Sequence, residues 1–270
     1  MCRPSRKRMI LPMRLAILSD IHGNLIAFEA VLADLAQQGE VDAIWCLGDI
    51  VAGGPRPQES LQRVRDLLEE HGKDKFKVIG GNTDRYLLTG ERMPMPIFTE
   101  EEKYQDRSQQ FATRDAVFNW ALSKLGWADY EFLSKINGRE IHKWVDGYGG
   151  VIAVHAVPGS DEPTSLLPDT SDEEARDALL DREGRLCLAG HTHRRMDRDL
   201  GSWRVVNPGS VGMSFTQPGR AEWAMLTFAD GDVTVDLRDV PYDVEAVLAE
   251  ANTLGHPSTD YLVNVLKQTS

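Results

Sequence analysis

The chain has few cysteines, no long apolar run and a deficit of positive charge. Its 3 cysteines in 270 residues, Cys2, Cys46 and Cys187, form neither a C-x-x-C pair nor an even framework. A fold held by disulfides and a closed thiolate zinc site are thereby excluded. Cys46 and Cys187 sit inside apolar runs, where a free thiol acts as a small buried hydrophobe in a reducing compartment. No apolar stretch approaches the roughly 20 residues that cross a bilayer. The opening MCRPSRKRMILPMRLAIL offers a basic start and an apolar stretch, but Pro12 and Arg14 interrupt it and no small-residue cleavage site follows. A secreted precursor is therefore not expected. Residues 1–12, with Arg3, Arg6, Lys7 and Arg8, read as a loose basic extension, Met13 is a candidate original start, and the expected location is cytoplasmic. With 42 acidic against 30 basic side chains the formal charge is −12, and −16 once the +4 of residues 1–12 is set aside. Bulk electrostatic binding to nucleic acid or to an anionic membrane is not expected of such a surface.

What is present is a globular composition, 41% apolar and 27% charged, on a chain long enough to bury a core without staples. Short apolar runs at Leu15–Leu18, Ala43–Leu47, Phe76–Ile79, Val151–Val154, Leu186–Ala189 and Trp203–Val206 predict strands buried on both faces. Helical spacing links Leu25, Phe28, Val31, Leu32 and Leu35 after a candidate Asn24 cap, with Gly39 closing the segment. Leu61, Val64, Leu67 and Leu68 repeat the pattern between Pro57 and Gly72. This alternation predicts an α/β architecture with parallel strands. After Asp84 it breaks. Met93-Pro-Met-Pro96 predicts a turn, and Thr99-x-x-Glu102 a capping box opening a helical insert, 98–137, over one rim of the sheet. Hairpins are expected at Glu140–Val154 and Ala224–Leu237, a Ser171-capped helix between them, and a helical tail over 242–270. Nothing marks a linker, so residues 13–270 read as a single domain.

Each apolar run ends in a polar cluster. In order these are Asp20-Ile-His22-Gly23-Asn24, Gly48-Asp49, Gly80-Gly81-Asn82-Thr83-Asp84, His155, Gly190-His191-Thr192-His193 and Asn207-Pro208-Gly209-Ser210. Ligands of α/β sheets bind outside the carboxyl ends of the strands, so these clusters are expected on one edge. Singly each is weak: Asn24 serves equally as a helix cap, and a lone His155 is more often a core histidine. Together, converging imidazoles and carboxylates with no cation would leave buried polar groups poorly paired. A divalent metal resolves this. Oxygen and imidazole donors suit Mn²⁺, Fe or Zn²⁺ at open positions, with Ni²⁺ and Co²⁺ as further candidates, and the set is too large for one ion that also keeps a water. It fits two ions sharing a carboxylate. His71, His142 and His256 lie outside the pattern and read as ordinary structural histidines.

The series Asp-x-His-Gly-Asn, Gly-Asp, Gly-Asn-x-Asp, His, Gly-His-Thr-His and Asn-Pro-Gly-Ser resembles the calcineurin-like metallophosphoesterases, in the branch of small bacterial and archaeal phosphodiesterases. The resemblance covers about residues 13–240 and implies a four-layer α-β-β-α sandwich with a dimetal centre. It implies that Asp20, His22 and His193 hold one metal, that Asn82, His155 and His191 hold the other, and that Asp49 bridges them. It also implies in-line attack on phosphorus by a hydroxide bridging the ions, Mn²⁺ being the first candidate, and a small phosphorylated substrate touched by Asn24 and Thr83. Two positions depart from the family pattern. Thr83 stands where many relatives have a histidine that protonates the leaving group, which favours diesters or anhydrides over monoesters with basic leaving groups. Ala156 stands where many have glycine, a change that spares the neighbouring ligand. Asp84 is expected to orient Thr83 or a ligand. The alternatives are a dinucleoside polyphosphate hydrolase using Tyr104, Phe111, Trp120 or Trp127 of the insert on a base, a phosphomonoesterase, a nuclease needing a basic groove, and a non-catalytic scaffold resembling the retromer subunit of this fold.

Overall fold

The first strand sets the layering. In β1 (Met13–Leu18), Leu15 and Ile17 are buried on one face and Ala16 and Leu18 on the other, so the strand needs cover on both sides. In the computed structural model, which describes residues 12–93 and 97–267, that cover is a second sheet on one face and helices on the other. β2 (Ala43–Cys46) and β3 (Phe76–Val78) extend β1 in parallel. β9 (Arg220–Ala229) pairs antiparallel with the opposite edge of β1, and β10 (Asp232–Pro241) with β9, giving the order β10-β9-β1-β2-β3.

The second sheet is built around three parallel strands, β5 (Gly149–Ala153), β6 (Leu186–Leu188) and β8 (Arg204–Asn207). Antiparallel edges close it, β4 (Ile141–Val145) beside β5 and β7 (Met196–Asp199) beside β8. Leu15, Ile17, Trp45 and Leu226 of the first sheet meet Val151, Ala153, Leu186 and Val206 of the second in one dry interlayer. On the far side of the first sheet, α1 (Leu25–Gln37) and α2 (Pro57–Lys75) supply Phe28, Val31, Leu61 and Val64. On the far side of the second, Leu166, the short α6 (Asp172–Asp177) and Leu179 cover Ile152, Cys187 and Val205. The result is the expected four-layer sandwich.

Four details differ from expectation. β7 was unmarked because Met196-Asp-Arg-Asp199 has a single buried residue, which an edge strand tolerates. The β9–β10 hairpin runs several residues beyond the apolar stretch at each end, carried by its continuous ladder from Arg220 to Pro241. The helical insert forms as α4 (Glu101–Ser123) and α5 (Trp127–Ile136), but it does not simply lie over a rim. Phe118, Ala121, Leu133 and Ile136 join the helical layer. Thr99 does not cap α4: Glu100 occupies the N-cap without a side-chain bond, and the side chain of Glu102 lies outside the described residues. Pro94-Met95-Pro96 and residues 1–11 of the basic extension also lie outside them. The tail forms α7 (Val244–Leu254) and α8 (Thr259–Leu266), packed on each other and on Met213. Among the described residues no helix is long and apolar enough to cross a membrane.

Leu226 is fully buried opposite Leu15 between the sheets. Leu226→Ala is expected to lower unfolding stability by about 2–5 kcal/mol, read as a reduced urea midpoint at unchanged m-value.

Candidate metal centre

The loops leaving the carboxyl ends of β1, β2, β3, β5 and β6 all deliver polar side chains to one rim. Asp20 and His22 follow β1, Asp49 follows β2, Asn82 opens α3 (Asn82–Thr89), His155 follows β5, and His191 and His193 follow β6. All are buried except His191, which is partly so. Asp20, His22, Asp49, His191 and His193 have φ of 58°, 51°, 53°, 66° and 55°, in the left-handed region. Among the described residues the only other non-glycine residue there is Asp230, in the β9–β10 turn. Left-handed backbone costs an L-residue about 1–2 kcal/mol. Hydrogen bonds between loops hold it in place: Asp20 N donates to Gly48 O (3.0 Å), His22 N to Asp49 O (2.9 Å), Gly23 N to Ile50 O (2.8 Å) and Gly212 N to Asp20 O (2.9 Å). A β-carbon at Gly81 would collide with the Asp49 carboxylate, and one at Gly190 with Ser19 Oγ and Asp20 Oδ2.

Backbone carbonyls orient three of the histidines. His22 Nδ1 donates to Ala52 O, His155 Nδ1 to Leu47 O and His193 Nδ1 to Met213 O, each at 2.7 Å. Fixing Nδ1 as the protonated nitrogen turns Nε2 toward the centre as the available donor atom. His22 Nε2 and His193 Nε2 face each other at 3.0 Å, with Asp20 Oδ1 at 3.8 and 3.3 Å from them. Asp49 Oδ2 lies 3.6 Å from His22 Nε2 and 3.5 Å from His155 Nε2. Asn82 Oδ1 meets His155 Nε2 at 3.1 Å and His191 Nδ1 at 3.0 Å, while His191 Nε2 meets Glu162 O at 2.8 Å.

The electrostatics show what this arrangement is short of. Burial acts against the Asp49 carboxylate, but His155 and His22 outweigh it and hold Asp49 well below the usual carboxylate range. Burial likewise opposes His155, yet the charge of Asp49 and then Asp20 lifts it to about 10. Asp20 is lowered and His193 raised by the same pairing against burial, whereas burial first of all lowers His22 and His191. The buried carboxylates and imidazoles thus depend on one another, rather than on solvent, to offset burial. Asp20 Oδ1 is buried and receives no hydrogen bond. Oxygen and nitrogen donors without thiolate, an orphaned carboxylate oxygen and inward-facing imidazole nitrogens fit divalent cations. Two groups whose ligand atoms lie within 4.8 Å of one another meet that need, Asp20 with His22 and His193, and Asp20 with Asp49 and His155.

The sequence profile of the calcineurin-like phosphoesterase superfamily domain matches residues 13–231. The chain belongs to this superfamily. Its class is that of a phosphoric ester hydrolase. An uncharacterized protein of Methanocaldococcus jannaschii is 28% identical over 248 residues, covering 86% of this chain and 88% of that protein. The crystal structure of a metallophosphoesterase from Sphaerobacter thermophilus is 26% identical, with a TM-score of 0.65 over 94% of this chain and 98% of that one. A symmetrical bis(5'-nucleosyl)-tetraphosphatase of Pectobacterium atrosepticum is 30% identical over 107 residues, only 38% of this chain and 34% of that protein.

The other residues singled out in the sequence bond mostly to backbone groups around the centre. Asn24 caps α1, its Oδ1 accepting from Ala27 N (3.1 Å) and its Nδ2 donating to Gly212 O (3.0 Å), so both ends of its amide are engaged by backbone groups. Asp84 does not reach the Thr83 hydroxyl. Its carboxylate accepts from Gly81 N and Ile50 N, tying the Asn82 loop to the Asp49 loop, and burial followed by the charge of Asp49 pushes it up to about 7. Thr83 N donates to Asp49 Oδ1 (2.9 Å), and Thr83 Oγ1 is buried without a partner. Asn207 and Ser210, visible in the sequence only as a motif, have a definite task. Asn207 Nδ2 donates to Gly190 O (2.7 Å) and Ser210 Oγ to Asp20 O (2.7 Å), pinning the carriers of His191 and Asp20. Phe215, half-exposed with its ring 4.7 Å from that of His193, carried no signal at all.

His142 pairs at the surface with Glu140, and His71 lies near the end of α2. His256 is buried, and its Nε2 donates to Gly53 O (3.0 Å). Gly190→Ala is expected to expel Ser19 and Asp20 from their places and to reduce bound metal to below half the wild-type content, measured by elemental analysis of protein dialysed against Mn²⁺.

Proposed function

We propose that this chain is a dimetal phosphodiesterase acting on small phosphodiesters. In this reading Asp20, His22 and His193 hold one ion, Asn82, His155 and His191 hold the second, and Asp49 reaches both. The observation that carries it is the pair of near-equal distances from Asp49 Oδ2 to His22 and His155, 3.6 and 3.5 Å, with the other donors grouped on either side. When bound, such ions supply Lewis acidity toward phosphoryl oxygens and a nucleophilic water at neutral pH.

The chain's own residues do the rest. The carbonyls of Ala52, Leu47 and Met213 hold three imidazoles in the tautomer that presents Nε2 inward. Asp84 fixes the spacing of the Asp49 and Asn82 loops, and Ser210 fixes Asp20. Thr83, with a hydroxyl far too weakly acidic to protonate a basic leaving group, stands beside Asp49. Diesters whose leaving groups need little protonation suit that arrangement better than alkyl monoesters. Mn²⁺ is the proposed metal, on the strength of the mixed carboxylate, amide and imidazole donors. A cytoplasmic location belongs to the same reading, supported by the free thiols of Cys46 and Cys187.

A second reading, hydrolysis of dinucleoside polyphosphates, is favoured by the local similarity to the Pectobacterium tetraphosphatase. Of the four aromatic residues considered for it, Tyr104, Phe111, Trp120 and Trp127, none is among the residues that line the space beside His22 and Thr83. Trp127 stacks on Tyr130, Trp120 meets His256 edge-on, and Phe111 lies under Arg114.

Turnover of bis-p-nitrophenyl phosphate with added Mn²⁺, lost on chelation, is the expected result. Asp49→Asn should lower kcat by at least about 100-fold and reduce bound metal from about two ions per chain. Absence of turnover with every divalent ion tried, together with unchanged metal content in Asp49→Asn, would overturn the proposal.

A further inference from the structure

A cleft of about 800 Å³ opens directly from the metal centre, with His22 and Thr83 at its inner end. Its two walls come from segments with no part in the ligand set. One is α4, through Gln109, Gln110, Thr113, Arg114, Val117 and Phe118; the other is the start and body of α8, including Ser258, Tyr261 and Asn264. The volume lies within the range of small-molecule sites, roughly 300–1,000 Å³. Amides and hydroxyls alternate with apolar carbon along the walls, a surface that reads hydrogen-bonding groups on a flat, partly apolar body.

The charges decide what that body can be. Arg114 is the only lysine or arginine among the described residues lining the cleft, and it is engaged elsewhere. Its Nε and a terminal nitrogen meet Asp115 Oδ1 at 3.0 and 2.9 Å, its other terminal nitrogen donates to Met93 O (2.9 Å), and its guanidinium lies 4.3 Å over Phe111. The cleft's other fully charged group is Asp260, an anion. Phosphates continuing beyond the metal centre into this open space would find no free counter-charge and one like charge, Asp260, which is unfavourable. An uncharged ring system meets no such penalty.

We infer that this cleft receives the organic half of the substrate, and that this half is an uncharged, hydrogen-bonding group of nucleoside size carried on a single phosphoryl group, not a polyphosphate chain. The inference rests on the phosphodiesterase reading and adds to it the class of ester. Thr113, Asn264 and Tyr261 become specificity-determining residues. Thr83 and His22 line the cleft beside the ligand set, so the organic half and the phosphoryl group would meet there.

The test compares thymidine 5'-p-nitrophenyl phosphate, methyl p-nitrophenyl phosphate, a glucose phosphodiester with the same chromophore and diadenosine tetraphosphate under matched Mn²⁺. The expected result is a KM for the thymidine ester at least about 10-fold below that of the methyl ester, with diadenosine tetraphosphate the poorest of the four. Thr113→Trp, which fills the cleft, should collapse the thymidine-to-methyl ratio of kcat/KM toward one, mainly through KM. Asn264→Ala, which removes a hydrogen-bonding group without adding bulk, should lower the same ratio and guards against a misfolded Thr113→Trp. Equal KM for the thymidine and methyl esters, or preference for the tetraphosphate, overturns the inference, and preference for the glucose ester replaces nucleoside by sugar and overturns it too. Should no ester be hydrolysed, the phosphodiesterase reading has failed, and the cleft is then read by calorimetry with thymidine 5'-monophosphate against methyl phosphate. Tighter binding of the nucleotide by wild type, weakened in both variants, supports the cleft assignment; equal binding overturns it.

Discussion

The centre depends on a backbone conformation that its residues do not favour. Asp20, His22, Asp49, His191 and His193 are all left-handed, and no glycine substitutes for them because each must carry a donor side chain. The penalty is of order several kcal/mol in sum. It is offset by the hydrogen bonds that knit the β1, β2 and β8 loops together and by the dry layers on both faces of the first sheet. Turning the backbone at these points ends each strand sharply and lets the loops from several strands deliver their donors to one rim. The sandwich is, in this sense, a frame rigid enough to keep five strained residues in register.

The overall acidity of the chain and the chemistry of the site are reconciled by where charge is buried. Asp20 and Asp49 are held as carboxylates against burial by their histidines, so the centre is prepared for cations while the surface repels polyanions. Arg85 and Arg195, which lie near the rim, are already engaged by Asp161 and by Glu222 and Asp239. These two arginines thus have their charge met by the chain's own carboxylates, and cations held at the centre would be the source of positive charge there.

Much of this was legible in the sequence, and the limits have physical causes. Asp-x-His, Gly-Asp, Gly-Asn and Gly-His-Thr-His are visible because the donors are rare residue types placed just after apolar runs. The layers follow from those runs, since strands such as Leu15–Leu18 are apolar on both faces. The left-handed turns were not legible, because aspartate and histidine give no sign of positive φ as glycine does. The Asn24 cap was legible because its partner, Ala27 N, is three residues on, whereas Gly212 O and the Ile50 N that Asp84 holds are brought near only by folding. β7 and Phe215 gave no signal, one being mostly charged and the other a lone aromatic in a loop. The cleft was not legible either: α4 contributes Gln109, Gln110, Thr113 and Phe118 to it, and none of the four aromatics weighed for a base lines it.

His256 ties the tail to the centre through a single carbonyl, Gly53 O, one residue beyond the Ala52 carbonyl that orients His22. The loop 52–53 is thus held from two sides, by a histidine of the candidate centre and by one that seats the start of α8. A group bound at His22 and a group bound against α8 would meet the same two peptide units. Were those units to shift with either one, the two affinities would change by the same factor, because coupling between sites is reciprocal.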